Sequence, residues 1–590
     1  MSTVLQHYFS SEALKLAYYR VQCWPDRMTK DLVGLRAFGR ELEMNCERLS
    51  EKIIGGGYKP RRGFKYYVPK ASLTNRTKTM LFVEDALVFQ AIGNSIATEN
   101  YEVLKAQESF VFGSVLAPEV KYGTDLLEEQ DPNYFFFKNW KGLFNKFKES
   151  IIHSIEVDKV QFKFETDITG FFDCIPHYNL LKILSERFHV EDEILDMLSH
   201  CLNIWSGTSD SVTPGVGVPQ GPQPSSLFAN LILHDLDELI IGEGFKYYRY
   251  MDDIKIYGYE RGELVKALVL IDKYLKGNGL SINSKKTSIE SIEAGKEDAT
   301  VAELKKVQTF AFYENDEEDR EPNDLDRLLD ELSKVPNTSQ SKTSSIKDKD
   351  LSDSSRLGDQ EASLNLFDDP KRKTLKTEKE ILGYWQDQIK EVEEALPLMF
   401  TTNEQGELVI NDGVEDLDFI KWSAQFGMSV RNIQTLQPTF GPNDTLLKFW
   451  LAAYRRFFWR ANNFGLTLAL YRDNGQVKNA LTSLLGRDFQ LYEWARYHAL
   501  QTLSLAHSFT DKELRNYYFK MLQEEQSDLV KISLYRLLVG HCKSEQFQVS
   551  VEKQLQKEKN QYLKIVIADF YNNHGTGEID IDDFLNSIGL

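Results

Sequence analysis

The stretch YYRYMDDIKIYG at residues 247–258 places two adjacent carboxylates, Asp252 and Asp253, inside a run of aromatic and β-branched residues. Tyrosine and isoleucine favour strands and Asp favours turns, so the pattern predicts a β-hairpin whose turn is Met251-Asp252-Asp253. Two neighbouring negative charges add nothing to the stability of such a hairpin. They are therefore either ordinary turn residues or ligands for a cation.

A further carboxylate, Asp167, closes the β-rich run VQFKFETDI just before the turn residue Gly170. On strands that lie side by side, Asp167 and Asp252 would form a cluster of like charges, which is costly unless a cation neutralises it. Mg²⁺ suits such a cluster because it prefers oxygen ligands in octahedral geometry and leaves room for waters and substrate phosphates. Two Mg²⁺ ions can activate a 3′-hydroxyl and stabilise a pyrophosphate leaving group.

Two more segments complete a pattern: GVPQGPQPSSLFANLILHDLDELI at 217–240, a Pro-Gln-Gly turn ahead of a long helix, and GLSINSKKT at 279–287. Together with the carboxylate segments they resemble reverse transcriptase motifs A to D, in that family's order. The residues that carry the resemblance are Asp167 with Phe171-Phe172-Asp173, Pro219-Gln220-Gly221 with Ser225 and Ala229-Asn230, and Tyr250-Met251-Asp252-Asp253. The resemblance covers about residues 55–290.

The resemblance implies an α+β right-hand polymerase, with fingers and palm, that acts as an RNA-directed DNA polymerase. It implies catalytic, metal-binding carboxylates and a ligating backbone carbonyl, which hold two Mg²⁺ ions or Mn²⁺ as a substitute. These ligands are Asp167, Asp252, Asp253 and the carbonyl of Ile168. The residues that match the dNTP site are Phe172, Gln220, Gly221 and Lys286. In this family Phe172 would exclude a ribose 2′-hydroxyl, and Lys286 would assist the leaving pyrophosphate. Tyr250 and Met251 would lie beneath the primer's 3′ end.

A basic tract, KPRRGFKYYVPKASLTNRTK at 59–78, contains seven basic residues and no acid. In the resembling fold it would belong to the fingers, where Lys70 and Arg76 would bind the triphosphate. The residues expected to follow a template backbone are Lys59, Arg61, Arg62 and Lys65. The alternative is a basic face that is merely solvated.

Composition shifts divide the chain into four predicted parts. They are a helical N-terminal and fingers region at 1–120, a palm at 121–313, an acidic and polar linker at 314–376 that we expect to be disordered, and an all-α domain at 377–590. The net charge is −19, and the linker carries the acidic block ENDEEDREPNDLDRLLDE and a single aromatic residue, Phe367. Such a segment cannot bury enough apolar surface to fold by itself.

The last part shows an internal repeat. EWARYHALQTL, DLVKISLYRLL and QYLKIVIADFY align Arg496, Lys531 and Lys564, which predicts a HEAT-like array of two-helix units. The alternative is three unrelated amphipathic helices. A nearby stretch, AAYRRFFWRANNFG at 452–465, interleaves Arg455, Arg456 and Arg460 with aromatic residues, which suits a nucleic-acid single strand. It would equally suit a core helix whose arginines reach outward.

The sequence has no apolar run of the ~20 residues that a membrane span needs, and its five cysteines show no paired spacing. We expect a cytoplasmic protein with no membrane contact. The expected partners are dNTPs, an RNA template or structured non-coding RNA, the DNA product, and a second copy of the chain or a second defence protein.

A reverse transcriptase joined to a helical-repeat domain resembles the bacterial defence-associated enzymes, including the abortive-infection group, so an antiphage role is the leading expectation. Alternatives are a retron or group II intron-like reverse transcriptase, and template-independent or protein-primed synthesis by the same site. A non-enzymatic RNA-binding scaffold is a further alternative, which the presence of all three carboxylates disfavours.

Overall fold

The computed structural model describes most of the first half of the chain and parts of the second. The described residues are 3–23, 32–70, 73–117, 127, 134–206, 214–292, 400–402, 408–410, 447, 451–452, 454–469, 471, 474–487, 491–504, 512, 514–541, 544–560, 563–565 and 567–568. The predicted linker at 314–376 lies outside them. Contacts divide the chain into two compact units. The first comprises Met1–Tyr66 with Thr77–Pro322, and the second comprises Tyr67–Arg76 with Asn323–Leu590.

The first unit opens with a group of helices that contains one almost fully buried helix. These helices are α1 (Thr3–Phe9), α2 (Ser11–Cys23), α3 (Leu32–Arg40), α4 (Leu42–Ile54), α5 (Val83–Glu99) and α6 (Tyr101–Ala106). Every residue of α5 from 87 to 97 is buried, because this segment is apolar or small on nearly all faces. Two buried amide side chains of α5 are linked to each other and to α2: Asn94 Oδ1 accepts from Arg20 Nη1 at 2.7 Å and from Gln90 Nε2 at 2.9 Å. The basic tract forms a hairpin of β1 (Phe64–Pro69) and β2 (Asn75–Met80).

The central sheet of this unit is antiparallel, in the order β4-β5-β3-β6. Its strands are β3 (Phe162–Asp167), β4 (Lys246–Tyr250), β5 (Asp253–Gly258) and β6 (Ser288–Ser291). Alternation assigns one face to the core, where Phe164 lies opposite Ile256. The other face is charged, with Glu165 opposite Lys255 at 2.7 Å between Oε1 and Nζ. The predicted hairpin at 247–258 is therefore confirmed, with its turn at Met251 and Asp252.

Helices cover both faces of the sheet. They are α7 (Trp140–Glu156), the single turn α8 (Phe171–Cys174), α9 (His177–Glu186), α10 (Asp192–Trp205), α11 (Gln223–Leu231), α12 (His234–Gly242) and α13 (Arg261–Gly277). Helix α13 buries Leu264, Ala267, Ile271 and Leu275, at helical spacing, and contacts β5 and β3. Helix α7 forms a smaller apolar cluster with Tyr257 on the charged side. The predicted α+β class is confirmed for this unit. Across the described residues, no helix is long and apolar enough to cross a membrane.

The second unit is mainly helical. Its described helices are α14 (Ala461–Ala469), α15 (Gly475–Arg487), α16 (Glu493–Ser504), α17 (Phe519–Glu524), α18 (Asp528–His541) and α19 (Glu545–Lys557). The prediction that this region is all helical is wrong in one place: β7 (Phe400–Thr402) pairs with β8 (Leu408–Ile410). The sequence FTTNEQGELVI explains the hairpin, since β-prone triplets flank a polar, Gly-containing connection.

Two of the three predicted repeats make matching contacts. Arg496 Nη1 bonds Glu525 Oε2, and at the equivalent position Lys531 Nζ lies 2.7 Å from Glu558 Oε2. Ser527 Oγ donates to Glu493, and Asn560 Nδ2 donates to Asp528 Oδ2 at 2.7 Å. The same two links thus recur one repeat apart, which supports a repeated unit. The HEAT-like class stays a prediction, because most of the third copy lies outside the described residues.

The predicted nucleic-acid segment at 452–465 is built differently from a base-stacking surface. Tyr454 is fully buried and donates from its hydroxyl to the Ala495 carbonyl at 2.7 Å. Phe457 is also fully buried, and Phe458 stacks on Tyr492 with centroids 4.0 Å apart. Buried aromatic rings cannot stack on bases. The predicted stacking by these residues is therefore wrong, and they belong to the core. Among the three arginines, Arg455 is exposed and Arg456 and Arg460 are half-buried; their predicted phosphate contacts stay predictions.

Candidate active site

The three predicted carboxylates lie at one end of the central strands. Asp167 ends β3 and Asp253 begins β5, and the two are direct partners in the antiparallel register. Asp252 precedes Asp253 in the hairpin turn and lies near enough to Asp167 for the charge of Asp167 to raise the pKa of Asp252. Residues 85 positions apart in the chain are thus brought together by strand pairing. Ile168 follows Asp167, forms a bridge with Ile282 and is buried, which places its backbone at the same corner of the sheet.

The electrostatics of this corner favour a cation. Burial and the charge of Asp167 raise the pKa of Asp252 to about 6. Burial also raises the pKa of Asp253, although Lys255 opposes the shift. A bound cation would stabilise the ionised form of these carboxylates. Carboxylate oxygens are also the ligands that Mg²⁺ and Mn²⁺ prefer. Among the described residues, however, only His234, Asp235 and Glu238 form a group of three ligating side chains within 4.8 Å of one another. The three catalytic candidates are more widely spaced.

Lys286 and Asn283 both contact the carboxylate of Asp167. The Lys286 ammonium lies 2.7 Å from Asp167 Oδ2, and Asn283 Nδ2 lies 3.4 Å from the same oxygen. The backbone supports this arrangement, since Asn283 N donates to the Asp167 carbonyl at 2.7 Å. The residue predicted to assist the leaving group therefore pairs with a predicted metal ligand.

The Pro-Gln-Gly turn is fixed by hydrogen bonds. Ser225 Oγ, which is fully buried, donates to the Pro219 carbonyl at 2.6 Å. The Gln220 carbonyl accepts from Thr79 N of β2 at 2.9 Å, which ties the turn to the hairpin formed by the basic tract. Gly221 has a φ of 142°, a conformation that favours glycine. Gln220 and Gly221 therefore occupy a rigid turn.

Phe172 lies between two of the motif segments. It follows Gly170, whose φ of 54° makes the turn out of β3, and it is half-buried. Its carbonyl accepts from Val218 N at 2.8 Å, so it is linked to the segment that leads into the Pro-Gln-Gly turn. The predicted contact with the sugar stays a prediction.

The basic tract does not present all its charges to solvent. Lys65 donates to the Trp205 carbonyl at 2.5 Å and to Thr79 Oγ1 at 2.6 Å, and burial lowers the pKa of its ammonium to about 8. Arg61 lies over the Phe82 ring, 4.0 Å from its centroid. In this structure Lys65 therefore points inward, contrary to the expected surface contact with a template. Lys59 and Arg62 are exposed, as predicted for such a contact.

Lys70 and Arg76 are exposed at the tip of the β1–β2 hairpin, which belongs to the second compact unit. Their predicted contact with a triphosphate stays a prediction.

Tyr250 and Met251 differ in their surroundings. The Tyr250 ring packs on Phe144 and Phe147 of α7, with centroids 5.4 and 5.8 Å away, and burial raises its pKa to about 12. Helix α7 thus covers much of the ring that was expected to face a primer. Met251 is half-buried and is the turn residue itself.

Sequence reasoning missed the residues that support this turn. Arg249, fully buried, donates from Nη1 to the Met251 carbonyl at 3.1 Å and pairs through Nη2 with Asp237 at 2.5 Å. The segment at 110–113 runs beside β4, with Arg249 N donating to the Phe110 carbonyl at 2.8 Å. Two features of the sequence could have indicated this pair: Arg249 occupies an inward-facing position of a strand, and Asp237 lies in an apolar helix.

Comparison with known families supports the motif assignment. Residues 130–323 match the family model described as reverse transcriptase (RNA-dependent DNA polymerase). A search of curated proteins gives no significant match.

Similar solved structures include telomerases. One is telomerase from Candida albicans in complex with the TWJ fragment of telomeric RNA, at 10% identity over 90% of this chain and 64% of that chain, with a TM-score of 0.30. Another is the equivalent complex from Candida tropicalis, at 11% identity over 93% and 68%, with a TM-score of 0.27. A third is apo telomerase from Candida tropicalis, at 10% identity over 89% and 69%, with a TM-score of 0.29.

Proposed function

Because the chain carries a reverse transcriptase domain at residues 130–323, we propose that it is a metal-dependent DNA polymerase that adds dNTPs to a 3′-hydroxyl. The observation that carries the proposal is the pairing of Asp167 with Asp253 across β3 and β5, with Asp252 in the adjoining turn. Strand pairing fixes the backbone of two of these residues, so the carboxylates form a site on rigid elements rather than on mobile loops.

Asp167, Asp252, Asp253 and the Ile168 carbonyl would hold two Mg²⁺ ions, with Mn²⁺ as a substitute. When bound, such ions lower the pKa of a 3′-hydroxyl and stabilise the charge on a departing pyrophosphate. The chain's own contribution is the cluster of negative charge that attracts the ions. Support comes from the pKa of Asp252, which burial and then the charge of Asp167 raise and which a nearby cation would lower again.

The dNTP would lie between the carboxylates and the Pro-Gln-Gly turn. The fixed turn at Gln220 and Gly221 would line the nascent base pair, and Phe172 would select deoxyribose. Lys286, which is exposed and pairs with Asp167 in this structure, would supply its charge or its proton to the leaving pyrophosphate. Nucleic acid is the proposed partner of this site, with RNA as template.

For the biological role we propose antiphage defence. The support is the order of the parts: a reverse transcriptase domain followed by a helical unit in which Arg496–Glu525 and Lys531–Glu558 repeat the same link. A retron or group II intron-like role and an untemplated or protein-primed reaction are the competing possibilities for the same site.

The experiment is primer extension by the purified full-length chain on poly(rA)/oligo(dT) with dTTP and Mg²⁺. Asp167→Asn and Asp252→Asn should abolish incorporation with little change in melting temperature, since each removes a charge from a repulsive cluster. Asp196→Asn, at an exposed position on α10, is the matched control and should keep full activity. Full activity in both site variants would contradict the proposal.

Sequencing the RNA that copurifies with the chain, and the DNA made from it, separates the competing roles. DNA complementary to one RNA indicates templated synthesis, and random sequence indicates untemplated synthesis. Product that enters the aqueous phase of a phenol extraction only after protease treatment indicates a protein primer. Phage plating on cells with the parent chain or with Asp252→Asn tests the defence role: equal plating would contradict it.

A further inference from the structure

The turn between β4 and β5 contains an unusual backbone conformation. Met251 has a φ of 55°, in the left-handed region that side chains other than glycine rarely adopt. Such a conformation persists only where the surrounding structure holds it in place. Asp252 is the next residue, so the direction of its carboxylate depends on the contacts that hold Met251.

One set of contacts holds the turn through the side chain of Arg249. Its Nη1 donates to the Met251 carbonyl at 3.1 Å and to Asn230 Oδ1 at 2.8 Å. Nε and Nη2 bond the two carboxylate oxygens of Asp237 at 2.8 and 2.5 Å. Arg249 and Asp237 are both fully buried. A bidentate pair of this kind fixes the plane of the guanidinium, and with it the direction of the bond to Met251.

The second set of contacts holds the turn through Asn230 and Gly113. Asn230 Nδ2 donates to the carbonyls of Gly113 and Ser114, at 2.9 and 3.3 Å. This holds Gly113 so close to the turn that a Cβ atom on it would lie 2.5 Å from Met251 N and 2.8 Å from Met251 Cγ. The nearest atom is backbone, which cannot move aside as a flexible side chain could. Only glycine fits this position without displacing the turn.

We infer that Gly113, Asn230, Asp237 and Arg249 form a turn anchor that sets the position of Asp252. They are positioning residues, since none of them needs to touch substrate or metal. The inference rests on the proposed function in treating Asp252 as a metal ligand. Its structural part, the dependence of the Met251 conformation on Gly113, does not depend on that function.

The test is Gly113→Ala in the full-length chain, with Gly142→Ala as the matched control, because a Cβ atom on Gly142 meets nothing within 4 Å. Hydrogen exchange of peptides spanning 247–253 reads the turn, and Mn²⁺ titration followed by electron paramagnetic resonance reads the carboxylates. Gly113→Ala should accelerate exchange in these peptides and weaken Mn²⁺ binding about tenfold, the lower end of the effect of outer-shell changes. Gly142→Ala should match the parent in both. Parent-like exchange and Mn²⁺ affinity in Gly113→Ala would overturn the inference.

Asn230→Ala provides an independent variant in case Gly113→Ala does not fold. It removes the bonds to Gly113 and Arg249 without adding bulk, and it should produce the same local exchange and the same loss of Mn²⁺ affinity. If the exchange effect appears but the parent incorporates no dNTP, the turn anchor is supported and the proposed function fails. If both variants polymerise with the parent's kcat and metal requirement, the turn anchor is overturned and the proposed function stands.

Discussion

Lys286 and Asp167 form an ion pair of 2.7 Å between Nζ and Oδ2, although the family resemblance predicts that one assists the leaving group and the other binds a metal ion. The lysine is 65% exposed and the carboxylate 19% exposed, so the cation can leave at little cost while the anion stays in place. The pair is therefore a replaceable internal counter-ion. Under the proposed function Asp167 would serve as a metal ligand instead, and the ammonium of Lys286 would be free to lie beside the substrate phosphates.

Replacing Lys286 should separate two kinetic effects. Lys286→Gln removes the competing cation, so the Mg²⁺ concentration for half-maximal rate should fall a few-fold, while kcat should fall about 10² as the acid is lost. Lys285→Gln, the exposed neighbour, is the control. Primer-extension rates over a Mg²⁺ series measure both quantities. An unchanged kcat would show that Lys286 acts only as the counter-ion of Asp167.

Ser225→Ala should loosen the Pro-Gln-Gly turn. It removes the buried bond from Ser225 Oγ to the Pro219 carbonyl, which should cost about 1–2 kcal/mol of stability. The KM for dNTP should rise, because Gln220 and Gly221 lose their fixed position. Ser226→Ala, at a half-buried position next in sequence, should leave KM unchanged. Steady-state kinetics with thermal unfolding measures both effects, and equal KM values for the two variants would contradict the prediction.

Asp85 should make stability depend on pH. It is 1% exposed, and burial raises its pKa to about 7, above the usual value of 3.8, although Tyr58 and Arg61 oppose the shift. The folded state therefore binds more protons than the unfolded state between pH 4 and 7, and stability from this group falls as pH rises, by at most about 1.4 kcal/mol per pH unit. The melting temperature of the parent minus that of Asp85→Asn should decrease over this range and level off above it. A difference that stays constant with pH would exclude this role for Asp85.

The repeated links in the second unit should be equivalent in strength. Glu558 accepts from Lys531 and, at 3.0 Å, from the Tyr535 hydroxyl, and Glu525 is the matching partner of Arg496. Glu558→Gln and Glu525→Gln each leave a half-buried cation poorly paired and should cost about 2–3 kcal/mol. Glu524→Gln, whose side chain is 69% exposed, should cost under about 0.5 kcal/mol. Urea unfolding monitored by hydrogen exchange of this unit measures the three values, and a cost confined to one of the two sites would argue against a repeat.

The hairpin at 247–258 could be predicted because it follows from a local pattern. Alternating residues fix which side chains share a face, and turn chemistry fixes where the strands reverse. The family resemblance then supplied the pairing of segments far apart in sequence. The position of Lys286 on Asp167 could not be predicted in this way, because a long side chain chooses among several nearby anions only once the fold is formed.

Three other features could not be predicted from the sequence. Gly113 and Met251 are 138 positions apart, and nothing local to the glycine signals that a turn approaches it. The aromatic and basic pattern around Tyr454 and Phe458 fits a core helix as well as a nucleic-acid surface. Only the burial of the rings in the structure distinguishes the two interpretations. The inward direction of Lys65 belongs to the same class, since a lysine in a basic tract gives no sign of which carbonyl it will meet.

The segment at 110–113 lies ahead of the matched residues 130–323, yet its glycine packs against the turn of the hairpin that carries Asp252 and Asp253. A fragment trimmed to the matched residues would remove the backbone partner of Arg249 N and open the space beside Met251. The smallest piece of this protein able to keep the carboxylate turn in shape must therefore start before Phe110. The residues that match the family model are therefore fewer than the residues needed to hold the turn in place.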